Sequence, residues 1–106
     1  MKTEIINFLM ESFGMDAADA EDLYLSYLES LTENVEKFEP LMAANDFTEL
    51  TRAAHTIKGC ARNGGDQEMS EKASEMESAG KDHDMETCKR CAAEIREMYE
   101  KLKAEQ

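Results

Sequence analysis

The residue best suited to chemistry in this sequence is a histidine that stands among cations. His55 is followed by Lys58 and flanked by Arg52 and Arg62. On a helix, spacings of three and seven residues place these four side chains on one face. They predict a cationic patch on a chain whose formal net charge is -12. A neutral imidazole is a competent nucleophile near neutral pH, and the cations supply counter-charge for an arriving phosphoryl group.

A glycine lies one turn beyond this histidine on the same face. Gly59 is expected to cost about 1 kcal/mol relative to alanine within a helix. We interpret it as clearance for the backbone of another protein. The predicted site therefore has His55 as nucleophile and Lys58 as counter-charge for a phosphoryl group. The residues predicted to contact a partner are Thr51, Arg52, Gly59 and Arg62.

The helix that carries His55 has a separate apolar face. At about 100° per residue, one side of the helix collects Leu50, Ala53, Ile57, Cys60 and Ala61. His55 falls on the opposite side and is expected to be exposed. Asp46 and Glu49 have the spacing of a capping box, and a stop of asparagine and two glycines follows, which predicts a helix over residues 46–63.

Caps and glycines predict four further helices, over residues 3–13, 17–44, 66–80 and 83–104. Gly80 and Lys81 are predicted to end the helix over 66–80. The longest helix has an apolar stripe of Leu23, Tyr27, Leu31, Val35, Phe38 and Met42, and Pro40 is expected to bend or interrupt it. Short loops favour an antiparallel up-down-up-down four-helix bundle with a short additional N-terminal helix, in a single domain of residues 1–106.

The composition favours helices and argues against several classes of partner. Strong helix formers dominate, and β-branched residues are too sparse for a sheet. The 24 acidic residues against 12 basic ones oppose binding to nucleic acid or to anionic membranes. No apolar run reaches the roughly 20 residues of a membrane span, and no leader pattern is present. Three cysteines predict reduced thiols. We therefore expect an all-α, cytoplasmic protein.

The run AAHTIKGCARNGG, residues 53–65, resembles the signature of histidine phosphotransfer (HPt) domains. The matching positions are the histidine, the lysine and the glycine after it, Asn63 and Gly65, and weaker similarity extends over most of the chain. Gly64 and Asp66 depart from the aliphatic residue and the alanine that are usual there. These departures predict a looser loop after the helix.

The resemblance implies that His55 accepts a phosphoryl group from the aspartyl phosphate of a response-regulator receiver domain and passes it to another receiver domain. A hybrid sensor histidine kinase is a further implied partner. Lys58 would assist by neutralising charge while the receiver supplies Mg²⁺, so no cofactor is expected on this chain. Because the sequence lacks a nucleotide-binding glycine loop, we expect a phosphoryl carrier and not an enzyme. A monomer is the simplest expectation, since the chain supplies all the bundle helices itself.

Two other interpretations stay open at this point. Cys88 and Cys91 form a C-x-x-C pair near His83, a set that suits zinc. However, the nearest fourth ligand, Cys60, belongs to the core face of another helix, and the paired cysteines continue an apolar stripe. We therefore predict no metal site. The second interpretation is a docking adaptor of the same fold that binds its partners without passing phosphate onward.

Overall fold

A computed structural model describes all 106 residues, and every regular element in it is a helix. The helices are α1 (Lys2–Phe13), α2 (Ala17–Val35), α3 (Phe38–Ala43), α4 (Phe47–Asn63), α5 (Gln67–Lys81) and α6 (Met85–Ala104). The predicted all-α class is therefore confirmed. No helix combines the length and the apolarity needed to span a bilayer.

Aspartates begin four of these helices, as the cap pattern predicts. The carboxylates of Asp16, Asp46, Asp66 and Asp84 each accept a hydrogen bond from the backbone N–H three residues later, at N···O distances of 2.9 to 3.3 Å. Each bond satisfies a donor that has no partner inside the helix. α6 begins two residues later than predicted because His83 adopts a left-handed conformation with φ of 54° and cannot continue a helix.

The single long helix predicted over residues 17–44 is wrong. α2 ends at Val35, a two-residue turn follows, and α3 begins at Phe38. Pro40 lacks the N–H that would bond the Glu36 carbonyl, so it is tolerated in the first turn of a helix and not in the interior. The interruption that Pro40 predicts therefore lies one turn before the proline itself.

One apolar cluster of 22 buried residues joins all six helices. Leu23, which was predicted to lie on the apolar stripe of the long helix, is 45% exposed, and Phe13 at the end of α1 is 60% exposed. They border a cavity of about 360 Å³ between α1, α2 and the end of α4. Tyr24 and Leu28 are buried on α2 beside Tyr27, Leu31 and Val35 of the predicted stripe, so Leu23 is the member of that stripe on α2 that was placed wrongly.

The prediction of a looser loop between α4 and α5 is also wrong. Asp66 is buried there, and its Oδ2 accepts a hydrogen bond of 2.7 Å from the hydroxyl of Tyr27 on α2. Burial, together with the negative charge of Asp66, raises the pKa of Tyr27, so this hydroxyl remains a donor. The residue that departs from the family pattern thus ties the loop to the neighbouring helix.

α4 and α5 form the helix pair that positions the candidate site. They run in opposite directions, because Thr51 lies against Gly80 while His55, one turn further along α4, lies against Glu77. α5 ends at Lys81, at the stop predicted for Gly80 and Lys81, so the buried Gly80 lies in its last turn. α6 packs on the other side of α5, and α2 packs against both α4 and α6.

Candidate functional site

His55 lies in the middle of α4 on its solvent face, and 66% of its side chain is exposed. This confirms the exposure predicted from the helical pattern. The exposed ring is nevertheless held at one atom, because its Nδ1 lies 2.8 Å from Oε2 of Glu77 on α5. An exposed histidine with one fixed nitrogen differs from a freely solvated one, since its orientation is set by a second helix.

Glu77 is buried and is shared between several cationic or potentially cationic groups. Its Oε1 accepts a hydrogen bond of 2.5 Å from Nζ of Lys58, and Nζ of Lys81 lies 3.9 Å from its Oε2. Lys58 first, and His55 in addition, hold the pKa of the Glu77 carboxyl below its ordinary value, against the opposing effect of burial. Glu77 is therefore a carboxylate near neutral pH.

The ionised state of Glu77 decides which nitrogen of His55 is free to react. A carboxylate has only acceptor atoms, so the His55 nitrogen that faces it must carry the proton. In the neutral ring the lone pair then resides on Nε2, the nitrogen that Glu77 leaves free. The arrangement thus produces a single exposed nucleophilic nitrogen with an orienting partner behind it, which is the geometry of an activated nucleophile.

The other predicted site residues lie around this centre in different environments. Lys58 is half-buried through its bond to Glu77. Arg52 is exposed and bonds Glu49 at 2.7 Å, whereas Arg62 is exposed without a salt bridge. Both arginines therefore lie on the His55 side of α4, as predicted.

Two small residues complete the predicted face. Gly59 is exposed, and a Cβ atom added there would meet nothing within 4 Å, so no contact inside the molecule requires glycine at this position. Thr51 is half-buried, and its Oγ1 donates to the carbonyl of Phe47 at 2.7 Å. Gly59 thus belongs to the open face, while Thr51 belongs mainly to the contact between α4 and α5.

The residues weighed as zinc ligands do not converge. Cys88 and Cys91 are buried in the core, where burial raises the pKa of both thiols, that of Cys91 to about 11. Cys60 faces Ser30 at 3.3 Å, and the His83 ring stacks on Phe47 with ring centroids 4.6 Å apart. No group of three or more histidine, cysteine or acidic side chains is placed to hold a metal ion.

Sequence reasoning missed Glu77 and Lys81. The pattern of α5 on its own does not distinguish Glu77 from the other acidic residues of this helix. The signal was present in the register of the helix hairpin. His55 and Glu77 each lie eleven residues from Asp66 in the loop, and antiparallel helices bring such equidistant residues together.

Comparison with known proteins agrees with this geometry. The family model described as Hpt domain matches residues 22–105, which is most of the chain. The chain belongs to the HPt domain family. This confirms the resemblance seen in the sequence, and the match begins inside α2, so α1 lies outside it. Neither the comparison with curated proteins nor that with solved structures gave a match.

HPt domains act in histidine phosphotransfer within phosphorelays, where they work with receiver domains and histidine kinases. Within this HPt domain, one of the two histidines is oriented by a buried carboxylate on an adjacent helix, and the other stacks on an aromatic ring in a turn. The contribution of the Glu77 carboxylate to the free energy of unfolding can be measured without any phosphoryl transfer.

Replacing Glu77 by glutamine is expected to lower the free energy of unfolding by about 1–2 kcal/mol at pH 7, because Lys58 loses a charged acceptor. Folding lowers the pKa of Glu77 from its ordinary value of 4.5. The ionised carboxylate therefore stabilises the fold fully at pH values above 4.5. That contribution disappears as the pH falls through the lower folded-state pKa. Urea denaturation of both proteins from about pH 7 to about pH 3 should therefore show the difference shrinking.

Glu29→Gln is the matched control, since Glu29 is exposed and forms no salt bridge. Its effect should stay near zero at every pH. A difference between wild type and Glu77→Gln that does not change with pH would contradict the assigned role of the ionised carboxylate.

Proposed function

We propose that Nε2 of His55 accepts a phosphoryl group from the aspartyl phosphate of a response-regulator receiver domain and passes it to the aspartate of another receiver domain. The observation that carries the proposal is the 2.8 Å contact between Nδ1 of His55 and buried Glu77, on a ring that is 66% exposed. This contact keeps the ring proton on Nδ1, which donates to Glu77, and leaves Nε2 as the nucleophile.

The transfer balances without a separate base on this chain. The Nε2 lone pair forms the N–P bond, while the bond between phosphorus and the aspartyl oxygen breaks and the receiver carboxylate leaves. The imidazole becomes a cation, and its Nδ1 proton stays on the ring, where it donates to Glu77. Glu77 therefore stabilises the charge that develops on His55, and the reverse sequence delivers the group to the second receiver.

Lys58 and Lys81 offset the negative charge that the phosphoryl group brings. Glu77 alone would repel a phosphoryl group on His55. Lys58 binds Oε1 of Glu77 with one of its three donor hydrogens, which leaves donors for a phosphoryl oxygen, and Lys81 lies beside the same carboxylate. Phosphoryl transfer depends mainly on alignment and charge neutralisation, and these lysines supply the second.

The face around His55 is proposed to bind the receiver. Arg52, Arg62 and the exposed edge of Thr51 surround the histidine, and Gly59 lets the backbone of the receiver approach. The receiver supplies the bound Mg²⁺ and the reacting aspartate, so the chain needs no cofactor of its own and acts as a carrier that depends on its partners. A hybrid sensor histidine kinase is the proposed source of phosphate in the relay.

The same proposal extends to the organisation of the chain. α2, α4, α5 and α6 are proposed to form an antiparallel up-down-up-down bundle, with α1 as an additional N-terminal helix, in one domain of residues 1–106. Support comes from the single core that joins the helices and from the short turns between them. We propose a cytoplasmic monomer, because a receiver needs free access to the His55 face.

The proposed function is tested by His55→Gln, which should abolish labelling by a phosphorylated receiver domain. Glutamine cannot form the N–P bond, although it keeps a polar side chain of similar reach. Wild type and variant are incubated with a phosphorylated receiver, and the chain is assayed for acid-labile, alkali-stable phosphate. His83→Gln is the matched control and should label like wild type, since His83 lies in a turn against Phe47.

The adaptor interpretation predicts instead that the wild-type chain binds a receiver without accepting phosphate from it. If His55→Gln retains the label, or if wild type binds a receiver but never acquires phosphate from it, the relay proposal is wrong. The second result would favour an adaptor that docks without transferring.

Gly59→Gln is expected to slow transfer from a receiver by about tenfold or more, because its side chain occupies the space needed by the partner's backbone. Gly59→Ala should slow transfer less. Both substitutions should raise the free energy of unfolding by up to about 1 kcal/mol, because they improve helix propensity without a clash inside the molecule. The rate of phosphoryl transfer and urea denaturation measure these two effects. Equal transfer rates for wild type and Gly59→Gln would exclude the role of Gly59 in clearance for the partner.

A further inference from the structure

Gly80 is a buried residue inside α5, and its backbone is helical. A glycine in a helix interior costs about 1 kcal/mol relative to alanine, so some other contact must favour it there. Gly80 lies in the last turn of α5, but it is not a left-handed helix-end glycine, because its φ is not positive and the helix continues to Lys81. The reason lies in what stands opposite to it on α4.

The hydrogen atoms of Gly80 face Thr51. A Cβ atom on residue 80 would overlap Oγ1 of Thr51 and would lie 3.3 Å from both its Cα and its Cβ. Oγ1 is held in place, because it donates to the carbonyl of Phe47 at 2.7 Å. Rotation of the threonine side chain would not remove the contact with its backbone Cα. A side chain at residue 80 must therefore either break the bond of Thr51 to Phe47 or move α5 away from α4.

This close contact lies next to the phosphoacceptor and its carboxylate partner. Thr51 precedes His55 by one helical turn, and Gly80 follows Glu77 by three residues. The Thr51–Gly80 contact and the His55–Glu77 contact are thus one helical turn apart between the same two helices. The bonds from Glu77 to His55 and Lys58 are 2.8 Å and 2.5 Å long, and hydrogen bonds weaken steeply beyond about 3.2 Å. A shift of about 1 Å between the helices would break them.

We propose that Gly80 is a positioning residue: its contact with Thr51 sets the separation of α4 and α5 at which Glu77 reaches both His55 and Lys58. The expected effect of Gly80 on the rate of phosphoryl transfer rests on the proposed function of His55. Its effect on the helix separation does not, because the protonation state of the imidazole can be measured in the unphosphorylated protein.

The test compares wild type with Gly80→Ala, with the double variant Gly80→Ala/Thr51→Ala, and with the control Ser78→Ala, an exposed position on the same helix. Long-range ¹H–¹⁵N NMR of the imidazole reports which nitrogen of His55 carries the proton. Carboxyl ¹³C shifts as a function of pH report the pKa of Glu77. Loss of stability alone would move neither quantity in the folded protein.

Gly80→Ala is expected to lose the predominance of the Nδ1–H tautomer and to raise the Glu77 pKa towards its ordinary value of 4.5. The double variant removes Oγ1 of Thr51, leaves only the contacts of about 3.3 Å, and should return both quantities towards wild type. Ser78→Ala should match wild type. If Gly80→Ala does not fold, the double variant carries the test and is expected to fold with the Nδ1–H tautomer.

A folded Gly80→Ala with the tautomer and the Glu77 pKa of wild type would overturn the inference, as would a double variant that shows no recovery. Transfer from a receiver is measured in parallel and should be about tenfold slower for Gly80→Ala than for wild type. If wild type fails to accept phosphate while the NMR changes occur as expected, the proposed function fails and the positioning role stands.

Discussion

The hydrogen bond between Nδ1 of His55 and the buried carboxylate of Glu77 is the interaction on which the rest of the site depends. It converts a solvent-exposed imidazole into a group with one protonated nitrogen and one free lone pair. The same carboxylate binds Lys58, so the orientation of His55 and the position of this lysine are both fixed by one side chain. Because Glu77 comes from a different helix, the chemistry of His55 is governed by how closely two helices approach.

Helix caps, one anchored loop and one glycine bring α4 and α5 close together. An aspartate begins each of the helices that carry the site, and Asp66 also binds Tyr27, so the loop between α4 and α5 is anchored to α2. Gly80 then allows the two backbones to lie close together beside the site.

The aspartates that begin the helices and the face of His55 could be predicted because they depend on local chemistry, namely cap residues and helical periodicity. The break between α2 and α3 was misplaced, since Pro40 is tolerated in a first turn and its effect lies one turn upstream. Leu23 was assigned to the core although Tyr24 lies there, because both neighbours fit an apolar stripe and only packing chooses between them. Glu77 was missed because its role depends on the register of two helices, which no single helix pattern contains.

The most direct test of the account is to identify which nitrogen of His55 carries the phosphoryl group. The protein, labelled with ¹⁵N at histidine, is phosphorylated by a receiver domain, and the coupling between ³¹P and the ring nitrogens is measured by NMR. The account predicts phosphorus on Nε2, with the Nδ1 proton retained opposite Glu77. Phosphorus on Nδ1 would contradict it, because that nitrogen could not then donate to the carboxylate.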